Sequence, residues 1–289
     1  TEGRADIPRR YGDRLSWRSA PDGGAAAALR EGFATARGAI FGWVNADDVL
    51  LPHAVEQAAA AFAAHPDAAA VYGRAFWMAE DGALLGEYPT GEDAAGWLEY
   101  ECGICQPACF FRADAYRAAG GIAPAWRSAF DYDLWIRLAR QGPFVFVPQD
   151  WARSRMHAAN KTLGNREEAF REGMAVLETH FGYIPPTWFH TRHLYRTTGR
   201  DQFFDKSPAT PASWLAALPA GLARNGAARG RYLWDWLTLP FRAGRLIRLS
   251  RAVAGGRLHP AAYQPRPPCP CCRSFPPRRG RPRCPRPPP

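Results

Sequence analysis

No uninterrupted apolar run in the sequence reaches the roughly 18 residues that a membrane-spanning helix needs, and no basic stretch followed by a short apolar one opens it. Neither a transmembrane helix nor a secretory leader is supported, and the cytosol is the expected compartment. Lysine is nearly missing, for Lys161 and Lys206 are the only lysines among 37 basic residues. Such an arginine bias in an alanine-rich chain reads as codon usage more than phosphate chemistry, so the formal charge of +10 is a weak sign of any partner. Its distribution says more: residues 1–206 carry 22 basic and 26 acidic groups, while 207–289 carry 15 basic and 1 acidic. The basicity belongs to the tail, no known motif organises it, and no nucleic-acid partner is expected. Cysteine is sparse and irregular, with Cys102, Cys105 and Cys109 set apart from Cys269, Cys271, Cys272 and Cys284. The odd total and the spacings fit neither a disulfide framework nor a zinc site, which leaves reduced, buried thiols.

What is present suffices for one sizeable α/β domain with appendages: 289 residues, 47% of them hydrophobic. Helix over 25–36 ends at Gly38, and the apolar IFGWV (40–44) reads as a strand. Pro52 opens a helix that stops at His65-Pro66, because the residue before proline resists helical geometry. A strand at 69–78 turns at Glu80-Asp81-Gly82 into LLGEY, a hairpin. A short helix near 93–100, the strand ACFFR (108–112), helices over 113–119 and 131–141, the strand FVFVP (144–148) and a helix over 166–181 continue the alternation of an open α/β sheet. Beyond Ser207 the pattern degrades into an Arg/Trp/Leu-rich stretch (214–249), then a terminus with 12 prolines in its last 30 residues, which cannot build a packed core.

Three segments carry candidate chemistry. In GAIFGWVNADDVLLP (38–52), a buried strand ends at Asn45-Ala46-Asp47-Asp48. Open sheets place ligands at such strand ends, and adjacent acids there invite a divalent cation; helix capping before Pro52 is the competing explanation. In FDYDLWIRLARQG (130–142), Asp131 and Asp133 fall in a helix's first turn. The helix dipole favours an ionised carboxylate there, as a general base requires, and capping again competes. After FVFVP come Arg153, Arg155 and His157, which offer a phosphate partner and a neutral imidazole for a metal, although a lone histidine is more often structural.

Together with RLSWRSAPDGG (14–24) and QPACFFR (106–112), these segments resemble in order and spacing the inverting family 2 glycosyltransferases, from Tyr11 to about Tyr183. The resemblance implies a GT-A type α/β fold, an open mixed sheet flanked by helices, and transfer of a sugar from a nucleotide-diphosphate donor to a glycan or lipid-linked hydroxyl in bacterial surface-polysaccharide synthesis. It implies a cofactor, Mg²⁺ or Mn²⁺, held by Asp47 and His157. Asp131, with Asp133 as substitute, matches the catalytic base; Asp22, Gly24, Asn45, Asp48 and Arg155 fall on the donor side, and Gln106, Pro107 and Trp135 on the acceptor side. The pattern departs from the family in having Asn45 for the first metal-motif aspartate and Phe130 for the acid before the base. The family's opening strand and nucleotide loop are expected to precede what the chain contains. The implied division is a transferase domain at 1–183, a helical appendage at 184–250 and a disordered tail at 251–289. In residues 232–249 the apolar Tyr232, Leu233, Trp236, Leu237, Phe241, Leu246 and Leu249, with Arg242, Arg245 and Arg248 at spacing three, imply a peripheral contact with the inner face of the plasma membrane. An inactive paralogue retained as a binding module is the alternative function.

Overall fold

The computed structural model describes residues 11–18, 23–157, 160–203 and 205–242. The chain alternates from helix α1 (Ala25–Thr35) to strand β1 (Ile40–Phe41), then β2 (Val49–Leu50) and helix α2 (Ala54–Ala64). The long strand β3 (Ala70–Met78) turns into β4 (Leu84–Glu87), and β5 (Cys109–Arg112) runs directly into α3 (Ala113–Ala118). A loop leads to α4 (Phe130–Ala139) and the strand β6 (Phe144–Arg155). The helices α5 (Lys161–Gly164), α6 (Arg166–Phe181), α7 (Pro186–Thr198), α8 (Pro211–Arg224) and α9 (Arg229–Arg242) follow.

Six strands form one mixed sheet in the order β1-β5-β3-β6-β2, with β4 added to β3. Only β3 and β6 run parallel, and a parallel pair needs a long crossover, which here contains α4. Burial on both faces explains why Ala70-Val71-Tyr72 is a continuous apolar run. Gly73 follows because Trp151 lies across it: a Cβ there would stand 2.5 Å from the indole. On one face α2 packs Ala54, Ala58 and Phe62 against Val71, Phe110 and Trp151. On the other, Phe33 of α1, Trp135 and Leu138 of α4, and Met174 and Leu177 of α6 close over Phe41, Tyr72 and Phe111. Full burial of each large side chain contributes about 2 kcal/mol, so α4 is held mainly by its apolar stripe.

The open sheet flanked by helices is the expected one, with local corrections. The helix expected from Pro52 begins at Ala54, because His53 adopts a left-handed backbone at φ 68°. Residues 93–100 make turns rather than a helix. β6 does not stop at Pro148 but runs on to Arg155; the register with β3 shifts between Gly73 and Ala75, so the proline, which has no N–H to donate, sits at an irregularity. The Arg/Trp/Leu-rich stretch is helical, as an appendage there was expected to be: it contains α8 and α9, joined by stacking of Trp214 on Trp236 and by each indole donating to the other's backbone carbonyl. Cys102, Cys105 and Cys109 are free thiols, the last two buried. Asp22, residues 243–249 and the tail expected at 251–289, with its four cysteines, lie outside the described residues.

Candidate active site

Beyond β1 the chain leaves the sheet toward a turn at Ala46-Asp47, and buried groups fix its path. Trp43 is 8% exposed and stacks on Trp135 with ring centroids 5.6 Å apart. Gln106 Nε2 donates to the Trp43 carbonyl at 2.6 Å, and Asn45 Nδ2 donates both to Gln106 Oε1 and to Asp48 Oδ2, each at 2.9 Å. Asp48 Oδ1 accepts the backbone N–H of Arg155 at 2.9 Å, which ties the turn to the end of β6. Burial raises the Asp48 carboxyl above its ordinary value; hydrogen bonds from Arg155 and Asn45 oppose this, and the charge of Asp47 adds to it. Asp48 therefore belongs to the framework of the turn.

Asp47 points the other way. Its Oδ2 lies 3.1 Å from His157 Nε2, although 110 residues separate the two in sequence. The side chains are 37% and 25% exposed, accessible to a small ion. Two ligands on adjacent corners of an octahedral Mg²⁺ site stand roughly 3 Å apart, given bonds near 2.1 Å, so this pair fits such a cation. Among the described residues no group of three or more His, Cys, Asp or Glu side chains is placed to hold a metal. Two protein ligands leave positions for water and phosphate oxygens, as Mg²⁺ sites commonly do.

Arg155 is placed differently from its expected role toward the donor. Its Nε donates to the Asp47 carbonyl at 2.9 Å, and Nη1 donates to the carbonyls of Ala79 and Glu80 at 3.1 and 2.5 Å. The guanidinium clamps the Ala46-Asp47 turn onto the end of β3. Trp135, expected on the acceptor side, is fully buried and supports that wall through Trp43 instead of lining it. Gln106 and Pro107 are also buried, in a single 3-10 turn, so Gln106 backs Asn45. Gly24, at φ 102°, caps α1, a conformation glycine adopts without steric cost.

The two aspartates of α4 have separate surroundings. Asp131 is half-buried in the first turn, and its Oδ1 accepts the N–H of Tyr132 at 2.8 Å. Asp133 is 3% exposed; its Oδ1 meets His180 Nε2 at 2.7 Å, and its Oδ2 accepts Arg137 Nε and Nη2 at 3.0 and 2.5 Å. Burial pushes the Asp133 carboxyl up, but the bonds from His180 and Arg137 and the arginine charge outweigh it and hold the group below its ordinary value. Asp133 thus locks α4 to α6. Arg137 was legible as an i,i+4 partner, whereas nothing in the sequence marked His180. The thiol of Cys105 is raised well above its ordinary value, first by burial and then by the charges of Asp48, Cys102 and Asp131.

Residues 6–117 match the family model of Glycosyl transferase family 2, a span that includes Asp47 and Gln106 and ends before Asp131 and His157. No curated protein matches the chain. Among solved structures it is similar to S. aureus TarS 1–349 in complex with UDP-GlcNAc, with 13% identity and a TM-score of 0.51 over 84% of this chain and 79% of that one. The complex of the same TarS piece with UDP gives a TM-score of 0.50 at 13% identity, covering 85% and 79%. At such identity the structures speak for the fold alone, an open mixed sheet of GT-A type flanked by helices, while residues 6–117 carry the similarity to Glycosyl transferase family 2.

Proposed function

We propose that the chain transfers a sugar from a uridine-diphosphate donor to a hydroxyl acceptor with inversion, dependent on Mg²⁺ or Mn²⁺. The 3.1 Å approach of Asp47 to His157 carries this reading, because it unites a hard carboxylate ligand and an imidazole, distant in sequence, at the strand ends where open sheets place ligands. The TarS complexes with UDP and UDP-GlcNAc support the donor class. When bound, the cation supplies positive charge against the leaving diphosphate. Asp47 and His157 hold it, while Asn45, Gln106, Asp48 and Arg155 keep their turn fixed. Asp131, in the first turn of α4, takes the proton of the attacking hydroxyl. Asp133 is not the base, since both its oxygens are engaged in the tie between α4 and α6. One base suffices for a single displacement, whereas a retaining path would need a second carboxylate as nucleophile.

The acceptor we propose is a glycan or lipid-linked hydroxyl of a bacterial cell-surface polysaccharide, met from the cytoplasmic side. No helix of the described residues is long and apolar enough to cross a membrane. The face of α9 supports a peripheral contact, with a change of residues: Tyr232 and Leu239 are buried against the domain, while Leu233, Trp234 and Leu237 are 41%, 59% and 56% exposed. We place the transferase domain at residues 1–183 and the appendage from 184. Incubation with UDP-GlcNAc, Mn²⁺ and a saccharide acceptor tests the reaction: a product of the donor's anomeric configuration, read by NMR, would overturn inversion.

A further inference from the structure

Glu172, on α6, is 2% exposed, and a buried carboxylate must be matched by donors. It is matched by backbone alone at close range: the N–H of Arg127 donates to both oxygens at 3.0 Å, and those of Ser128 and Ala129 donate to Oε2 at 2.6 and 3.0 Å. A guanidinium nitrogen of Arg171 stands farther off, 3.7 Å from Oε1. The three amides are consecutive and lead directly into α4, whose cap is Ala129 and whose second residue is Asp131. The positive end of the α4 dipole faces the same carboxylate, and charge-assisted bonds of this kind are short and directional. Glu172 therefore fixes the backbone one residue before α4 begins, at the end where Asp131 sits. Asp133 and His180 fix the same helix to α6 one turn along.

We propose that Glu172 is a positioning residue for the catalytic base: by gathering the amides of residues 127–129 it sets where the Asp131 carboxylate stands. The proposal rests on the reading of Asp131 as the base. It reserves no role for Glu172 in holding the donor, because the Asp47 turn and the end of β6 are built from other bonds. Replacement by glutamine keeps the shape but turns an amide NH₂ toward amide N–H donors, so the segment must move; replacement by aspartate keeps the charge and shortens the reach by one methylene.

The test measures UDP release from UDP-GlcNAc with Mn²⁺ and a saccharide acceptor for the parent, Glu172→Gln, Glu172→Asp, Asp131→Asn and the double variant Glu172→Gln/Asp131→Asn, with hydrogen exchange at residues 127–129. Misplacement of a reacting group by about 1 Å costs on the order of 100-fold, so Glu172→Gln is expected to lose 10- to 100-fold in kcat, roughly, with donor KM and UDP affinity unchanged. Exchange at 127–129 should accelerate, Glu172→Asp should recover part of kcat, and the double variant should be no slower than Asp131→Asn alone. Losses that multiply in the double variant, or faster exchange with full kcat, overturn the proposal. Should Glu172→Gln not fold, Glu172→Asp carries the same comparison. Parental turnover by Asp131→Asn would instead overturn the base assignment, and this proposal with it.

Discussion

Replacing Asp133 by alanine separates the two aspartates of α4 by the kind of damage each causes. The side chains of Asp133, Arg137 and His180 are 5%, 18% and 9% exposed, so removal of the carboxylate leaves a buried guanidinium and imidazole facing a cavity. Breaking a buried ion pair by deleting one partner costs about 3–5 kcal/mol, a large part of the roughly 5–15 kcal/mol that keeps a domain folded. Asp133→Asn keeps one acceptor but presents an NH₂ to Arg137 or His180, and should cost about 1–3 kcal/mol. Asp131 is half-buried and gives Tyr132 a cap bond, so Asp131→Ala should cost about 1 kcal/mol, while turnover falls by about 100-fold or more. Urea unfolding of the three variants, paired with UDP release from UDP-GlcNAc, reads both effects. A stable but inactive Asp133→Ala beside a fully active Asp131→Ala would refute the assignment.

Two further outcomes follow from the structure. Because the Asp133 carboxyl is held below its ordinary value of 3.8, the unfolded chain binds more protons than the folded one below that value, so the stabilisation is full above it and disappears as pH falls through the folded pKa. The difference in urea midpoint between parent and Asp133→Asn should therefore be constant from pH 7 to about 5 and shrink below about 4; a difference unchanged at pH 3 would contradict this. Exchanging Leu233, Trp234 and Leu237 together for serine should weaken flotation with anionic vesicles at low salt without lowering UDP affinity, and equal flotation would remove α9 from the contact.

The turn at Ala46-Asp47 was legible as a candidate site because its causes are local: an apolar strand, then Asn45, Asp47 and Asp48, at the strand end where open sheets place ligands. The roles within it were not. Asp47 and Asp48 are neighbours, and which one meets His157 and which one ties down Arg155 depends on the end of β6, more than 100 residues away. The same holds on α4, where Asp131 and Asp133 stand about 200° apart around the helix; only His180, 47 residues on, decides which is buried. Pro148 suggested a strand end, but an irregular register let β6 continue and carry Arg155 behind the turn. An appendage of helices was expected at 184–250, but the bounds and packing of α8 and α9 were obscured because alanine and proline dilute the apolar stripe of α8, and the Trp214–Trp236 stack that joins them spans 22 residues.

The proposed reaction needs Asp47 and His157 to act as one cation site that serves the donor. Calorimetric titration of UDP into the parent, Asp47→Ala and His157→Ala, each with Mn²⁺ and with EDTA, tests it most directly. Mn²⁺ should strengthen UDP binding to the parent by about tenfold or more, Asp47→Ala should abolish this gain, His157→Ala should reduce it, and all three should unfold at similar urea concentrations. Equal Mn²⁺-dependent affinity in the parent and Asp47→Ala would contradict it.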